Sequence, residues 1–334
     1  MPLLQLSPQG LYCAVGDFFI DPWGPVNKAL ITHAHSDHAR GGSQHYMCQD
    51  LTKPILQLRL GKIAVDSLPY GKPVWHNGVK ISFHPAGHVL GSAQIRLEYQ
   101  GETWVVSGDY KTAADGLSTP FEPVACQHFI TESTFGLPIY QWAPQAEVFS
   151  QMRNWALAQQ SKDRIPVFEA YGLGKAQRIL PAFAQAQIPI YLHPRIWHTH
   201  QAFLEAGVDL PTVLPLTAAH AKAFLPEAVV IAPPGSSLQA YLPKNKTVST
   251  AMCSGWMTVN AQRKQQDKDA GFALSDHADW PGLLSAVKAT GAENIYVTHG
   301  FQTIFTRYLN EQGWRAQELK TAFQGDAATE EESA

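Results

Sequence analysis

The densest chemistry in the chain is Thr32-His33-Ala34-His35-Ser36-Asp37-His38, an HxHxDH cluster directly after the apolar run Ala29–Ile31. Neutral imidazole and carboxylate together suit a divalent ion, Zn2+ foremost and Mn2+ where oxygen donors dominate. Alternation along an extended chain points His33 and His35 the same way, so the two can share one ion. Asp37 and His38 follow at a turn and can reach a second ion nearby. The bland alternative, a chance cluster of surface histidines, is disfavoured because the cluster follows a strand and has matching partners downstream.

Those partners are His88, Asp109 and His299. They end the runs Ile81-Ser82-Phe83-His84-Pro85-Ala86-Gly87-His88, Trp104-Val105-Val106-Ser107-Gly108-Asp109 and Ile295-Tyr296-Val297-Thr298-His299. Each is polar, ends an apolar strand-like stretch and has a Gly beside it that lets the backbone turn tightly. Any one alone reads as an ordinary loop residue. Together they complete two coordination spheres, with Asp109 the natural carboxylate between two ions.

Glu132, after Phe129-Ile130-Thr131, and His277, after Phe272-Ala273-Leu274-Ser275-Asp276, share the strand-end setting. A Glu that orients a His makes a general acid for a leaving oxygen. A plain buried Glu–His hydrogen bond is equally compatible with the spacing. Asp21, twelve residues before His33, is placed to hold a ligating imidazole from behind, and Asp17 competes for that role. His45, His76, His84, His128, His193, His198, His200 and His220 have no such setting and are read as ordinary core or surface histidines. Tyr171-Gly172-Leu173-Gly174-Lys175-Ala176-Gln177-Arg178 follows the strand Ile165–Glu169 and opens a helix. Gly174, Lys175 and Arg178 there are candidates to hold a phosphate, although the GxxxxGK[ST] spacing of a Walker loop is missing. Ser254 and Gly255 are candidates for the same groove, or plain turn residues.

The elements that must carry these residues fall into two textures. Residues 1–140 read as short strands joined by Gly/Pro turns (Phe18–Ile20, Lys28–Thr32, Lys80–Phe83, Gln94–Tyr99, Thr103–Ser107, His128–Thr131), with a helix between Thr52 and Asp66. From Pro144 strands and helices alternate: a helix over Gln145–Gln160, strand Ile165–Glu169, helix Lys175–Gln187, strand Ile188–Leu192, helix His198–Glu205, strands Val229–Ala232 and Thr247–Ala251. This predicts a parallel sheet flanked by helices. The first texture returns with strand Phe272–Leu274, helix Pro281–Thr290, strand Asn294–Thr298 and a helix from Thr303. The spacing thus predicts an α/β block at 141–260 inserted into a β-rich domain of 1–140 and 261–324. An acidic, solvated tail over 325–334 follows.

The chain has 334 residues, 14 histidines, four scattered cysteines and a net charge of −3. Four acids of the tail account for that sign, so the composition by itself is not that of a nucleic-acid binder. Residues 141–260 hold nine bases against six acids, a weak lean towards an anionic partner. Cys13, Cys48, Cys126 and Cys253 form no CxxC pair and read as reduced core thiols. With no export signal or membrane span in view, the chain is expected in the cytoplasm.

HxHxDH followed by His88 and Asp109 resembles the metallo-β-lactamase superfamily. The inserted block, with Glu132 before it and His277 and His299 after it, resembles the β-CASP branch of nucleases. Within that branch DPWGPV, THAHSDHA, AGHVLGSAQ, SGDYK, TESTFGLP, YGLGKAQR, SGWM and SDHADWPGL are similar to the bacterial ligase-associated DNA exonuclease family, itself related to messenger-RNA 3′-end processing nucleases. The likeness covers nearly the whole chain except the tail. It implies an αββα sandwich carrying an inserted α/β β-CASP domain, with the active site in the cleft between the two. It gives His33, His35 and His88 to one metal and Asp37, His38 and His299 to the other, with Asp109 bridging. Glu132, His277 and His299 match the branch's three extra motifs.

The activity it implies is metal-dependent phosphodiester hydrolysis through a hydroxide activated by two divalent ions. The substrate expected is single-stranded DNA attacked from a 5′ end during repair, with an ATP-dependent DNA ligase and a helicase as partners. His299 pulls the other way, since members acting on RNA tend to have His there and the Artemis-type DNA-repair members Val. A β-CASP ribonuclease is therefore the first alternative. A thioesterase or lactonase of the same superfamily, or a non-catalytic scaffold for a ligase or helicase, stands further back.

Overall fold

A computed structural model describes residues 2–259 and 268–319. The acidic tail and the expected boundary at 260/261 lie outside the described residues. The chain forms two compact units, one built from Met1–Gln141 and the chain from His277 on, the other from Trp142–Asp276.

In the first unit a six-stranded sheet runs in sequence order through β1 (Leu4–Ser7), β2 (Gly10–Cys13), β3 (Phe18–Ile20), β4 (Lys28–Leu30), β5 (His45–Gln49) and β6 (Val65–Leu68). A seven-stranded sheet holds β7 (Val74–His76), β8 (Val79–Pro85), β9 (Ala93–Tyr99), β10 (Glu102–Val106), β11 (His128–Glu132), β18 (Asn294–Thr298) and β19 (Arg315–Glu318), ordered β19-β18-β11-β10-β9-β8-β7. The sheets share one core. Leu11, Phe18, Ile20, Leu30 and Met47 from the first meet Ile81, Phe83, Ile95, Leu97 and Val106 from the second. The alternating pattern of β8 and β9 supplies these inward residues, and burying each large one is worth roughly 1.5–3 kcal/mol. On the other face of the second sheet, helices Trp280–Thr290 and Gln302–Glu311 contribute Leu283, Val287, Phe305 and Leu309 to a second core with Val105, Phe129, Ile295 and Val297. The first of these helices starts where Asp279 Oδ1 accepts the Gly282 amide at 2.9 Å, with Pro281 in its first turn, and stops at Gly291 in the left-handed region. Both are ordinary helix punctuation.

The second unit is a parallel sheet of β12 (Arg164–Glu169), β13 (Ile190–Leu192), β14 (Leu214–Pro215), β15 (Val229–Ala232), β16 (Thr247–Cys253) and β17 (Ala270–Phe272), ordered β14-β13-β15-β12-β16-β17. Helix Gln145–Gln160 packs Val148, Phe149, Met152 and Ala156 against one face. Several details differ from the sequence expectation: the helix expected over His198–Glu205 already starts at Pro194, and strand Leu214–Pro215 is not among the expected elements. The helix expected over Lys175–Gln187 is two short ones, Lys175–Arg178 and Leu180–Ala184, because Pro181 has no amide to continue the hydrogen-bond ladder. The last strand is Ala270–Phe272 rather than Phe272–Leu274, and it pairs with β16. Phe272 and Leu274 pack into this unit's core, so residues 270–276 belong with the inserted block rather than with the domain expected from 261. No helix among the described residues is long and apolar enough to cross a membrane.

Candidate metal centre

The strands that lead into the site point the same way. β10 is parallel to β11, β11 to β18, and β3 to β4. Their carboxyl ends therefore deliver Asp109, Glu132, His299, Asp21 and the His33–His38 loop to one edge. β4 stops at Leu30, so His33 and His35 lie beyond the strand and a loop, not strand alternation, brings them together. Arg59, on helix Thr52–Leu60, fixes that loop by donating to the Ala34 carbonyl. Gly108, at φ 57°, brings Asp109 round; a Cβ there would sit 2.6 Å from Thr32 Cβ.

Two groups of ligand atoms result, each within 4.8 Å: His33, His35, His88 and Asp109, and Asp37, His38 and His299. In the first, His35 Nδ1 stands 3.1 Å from His33 Nε2 and 3.0 Å from His88 Nε2. Nitrogens on one tetrahedral Zn2+ stand about 3.3 Å apart, so this convergence has the size of a coordination sphere. Asp109 joins the groups. Its Oδ2 lies 3.5 Å from His33 Nε2, 3.8 Å from His88 Nε2 and 3.3 Å from His38 Nε2, while His38 Nε2 is 3.4 Å from Asp37 Oδ2.

Asp21 orders the rings. Its Oδ2 accepts from His38 Nδ1 at 2.7 Å and from the Thr32 hydroxyl at 2.5 Å, and its Oδ1 accepts the Thr32 amide at 2.8 Å. The Thr32 oxygen, having donated to Asp21, is 3.1 Å from His33 Nδ1 and can accept its proton. With Nδ1 as donor in both rings, Nε2 of His33 and of His38 is left as a lone pair facing the cluster. His38 Nε2 is buried with no hydrogen-bond partner. A buried lone pair aimed at carboxylates is unfavourable without a cation between them, so the donor set fits a divalent ion. Asp17 serves elsewhere, accepting from Tyr12 at 2.8 Å.

Without an ion, the same carboxylates favour a proton on His38. Burial, then the charge of His38, holds His33 well below the usual imidazole range. Burial is the largest influence on His38 and Asp109 and opposes their charged forms, yet it is outweighed by the summed attraction of Asp109, Asp37 and Asp21 on His38, which is raised well above its ordinary value, and of His38, His277 and His33 on Asp109, which is held well below its own.

Glu132 is buried. Its Oε1 accepts the Tyr110 amide at 2.7 Å, and its two oxygens lie 3.1 and 2.9 Å from His277 Nδ1. Asp109, Glu132 and His277 also have ligand atoms within 4.8 Å. His299 takes φ 55°, and Gly300 beside it packs where a Cβ would meet the Ser133 carbonyl at 2.3 Å.

The expected phosphate-holding residues lie in the other unit and are engaged internally. Lys175 Nζ is 3.2 Å from Asp276 Oδ1, with both side chains 4 % exposed. Arg178 donates to Gln145 Oε1 at 2.7 Å and to the Ser275 carbonyl. The Gly174 amide donates to Gln177 Oε1 at 2.9 Å, Ser254 Oγ caps the Trp256 amide at 3.4 Å, and Gly255 opens a 3-10 turn. The helix that Gly174 opens is only four residues long. Sequence reading missed Thr32, Arg59 and the Tyr110 amide. Thr32 had a signal, standing between the end of a strand and the first ligand. Arg59 and the amide had none, because they act through backbone atoms.

Strand ends carrying two groups of metal ligands joined by one carboxylate are the setting in which the comparisons fall. The chain belongs to the β-CASP branch of the metallo-β-lactamase superfamily. It is 31 % identical over 95 % of its length to "Probable DNA ligase" of Opitutus terrae, of which it spans 31 %. It is 33 % identical to "Cleavage and polyadenylation specificity factor subunit 3" of Dictyostelium discoideum, over 35 % of this chain and 15 % of that protein. It is 24 % identical to "DNA cross-link repair protein pso2/snm1" of Schizosaccharomyces pombe, over 64 % of this chain and 41 % of that protein. The fold is similar to a solved protein of unknown function from Enterococcus faecalis, with TM-score 0.57 and 11 % identity, covering 88 % of this chain and 79 % of that one. No family model matches.

Proposed function

We propose that the protein is a metal-dependent nuclease, an αββα sandwich with an inserted β-CASP domain, that degrades single-stranded DNA from a 5′ end during repair. The observation that carries the reading is Asp109 Oδ2 standing between two ligand groups, 3.5 Å from His33 Nε2 and 3.3 Å from His38 Nε2. His33, His35 and His88 would hold one divalent ion and Asp37, His38 and His299 the other, Zn2+ before Mn2+. Such a pair of ions supplies Lewis-acid polarisation of a phosphate and a water acidified to neutral pH.

The protein's own part is to hold and move protons. Asp21 keeps the proton of His38 on Nδ1. Glu132 holds His277 through Nδ1, leaving Nε2 to neutralise or protonate the leaving oxygen. DNA is supported by relatives whose names speak of a DNA ligase and of DNA cross-link repair. The first of these, in which the matching stretch is about a third of a longer chain, also supports a DNA ligase as partner.

RNA is the second reading, favoured by His299 and by the relative named for cleavage and polyadenylation. Single-stranded DNA and RNA of one sequence, labelled at one end and incubated with Zn2+ or Mn2+ beside an Asp109→Ala control, separate the two. Mononucleotides released from DNA, absent in the control, support the first reading and reveal polarity. Cleavage of RNA alone replaces it with the second.

A further inference from the structure

The outer face of β7, β8 and β9 is built differently from the rest of its sheet. Over β10, β11 and β18 that face is covered by two helices and is apolar. Ile81, Phe83, Ile95 and Leu97 turn into the shared core, so Lys80, Ser82 and His84 point outward, as do Arg96 and Glu98. The register sets Lys80 opposite Glu98 and Ser82 opposite Arg96.

The edge strand adds an aromatic. Val74 packs on the core, so Trp75 faces outward, directly opposite Lys80. Its indole is 68 % exposed, the highest value among the exposed large apolar side chains of the described residues. A cavity of about 280 Å³ opens on the same face, floored by Lys80, Ser82, His84 and Arg96 and walled in part by Glu122 and Val124. That volume is near the lower end for small-ligand sites, roughly 300–1,000 Å³.

Glu98 accepts from Lys80 at 2.9 Å and from Arg96, which fixes both cations over the floor. Together they carry more N–H donors than one carboxylate can accept. Ser82 Oγ and His84 Nε2 lie 3.0 Å apart beneath them. Glu122 stands at the wall, so the two cations face one further carboxylate besides the Glu98 that holds them. A fixed pair of cations beside an exposed indole matches what a single strand presents, phosphate next to an unstacked base.

We propose that this face is a second contact for single-stranded nucleic acid, with a phosphate on the N–H groups of Lys80 and Arg96 that Glu98 leaves unused and the neighbouring base stacked on Trp75. The proposal rests on the nucleic-acid reading above and extends it to a surface made of no metal ligand.

The test is fluorescence anisotropy of labelled single-stranded oligonucleotides with the full chain carrying Asp109→Asn to block turnover. Trp75→Ala on that background is expected to weaken binding about five- to a hundredfold, with Trp75→Phe restoring most of the loss. Lys80→Gln is expected to lower the slope of log affinity against log salt by about one. In the chain with Asp109 intact, both substitutions should leave hydrolysis of bis(p-nitrophenyl) phosphate unchanged, because that small diester needs only the metal centre. Unaltered oligonucleotide affinity in Trp75→Ala and Lys80→Gln, while the parent binds and cleaves, overturns the second contact alone and leaves the face to a protein partner. A parent that neither binds nor cleaves nucleic acid takes the functional reading down with it.

Discussion

Oδ2 of Asp109 stands 3.3 Å from Nε2 of His38, a buried ring nitrogen with no hydrogen-bond partner. A proton between the two would give an ion pair, and a divalent ion would give a shared ligand sphere. The second fits the chain's other donors, since the same oxygen is 3.5 Å from His33 Nε2. Asp109→Ala is expected to abolish nuclease activity and lower the metal content per chain while leaving circular dichroism and the oligomeric state unchanged. Full activity in that variant would sink the two-ion assignment.

Asp21 makes a prediction of its own because it touches both rings' supports without pointing at the ligand cluster. Asp21→Asn weakens the partner of His38 Nδ1 and of the Thr32 hydroxyl. Loss of such a supporting carboxylate costs about 10–100-fold in metal affinity. Competition with a chromogenic chelator measures this directly. Asp17→Asn, at a carboxylate that accepts from the Tyr12 hydroxyl, serves as the comparison and is expected to leave affinity unchanged.

His277 and Glu132 are bonded through Nδ1 at 2.9 Å, so they should act as one unit. His277→Ala is expected to slow cleavage about 10²–10⁴-fold, the usual worth of a positioned proton donor, with metal content intact. Glu132→Gln should fall in the same range, and the double variant should be little slower than the worse single one. Metal loss in His277→Ala, read by elemental analysis, would make it a ligand instead.

Much of this site is legible in the sequence for a physical reason. Asp109, Glu132 and His299 stand at or just past the carboxyl ends of β10, β11 and β18, so the hydrophobic pattern itself announces them. Where that pattern is weak, reading fails. β5, His-Tyr-Met-Cys-Gln, is a central strand hidden by its polar letters, and the edge strands β7 and β19 are short and half exposed. The choice between Asp21 and Asp17 was closed only by loop geometry, which no periodicity encodes. Lys175 and Arg178 mark another limit, because a Gly-rich turn before two bases looks the same in sequence whether the bases face a phosphate or a buried carboxylate.

Lys175 therefore carries a stability prediction in place of a binding one. Its ammonium and Asp276 are both 4 % exposed, and removing one partner of a buried ion pair costs about 3–5 kcal/mol. Lys175→Ala should lower the denaturation midpoint sharply, and the double change Lys175→Met with Asp276→Leu should recover part of it. A variant that keeps its midpoint but loses oligonucleotide affinity would return Lys175 to the phosphate-holding role.

The buried thiols set the alkaline limit of the fold. Burial pushes Cys48, Cys126 and Cys253 up to about 12, and raises Cys13 as well. Tyr70 and Tyr110 are raised above the ordinary phenol value by the same cause. In the unfolded chain a thiol ionises near 8.5. Between that pH and about 12 the unfolded state has released protons that the folded state still holds, so stability is full below about pH 8.5 and falls as pH rises. Each thiol contributes a slope of about 1.4 kcal/mol per pH unit in that window. Denaturant midpoints measured from pH 7.5 to 11 in reductant should decline, and Cys126→Ala should flatten the decline by one thiol's share once its own cavity cost is subtracted at pH 7.5. A flat profile would mean that the thiols ionise in the folded protein as readily as in the unfolded one, and the cores around them would then have to be open to water.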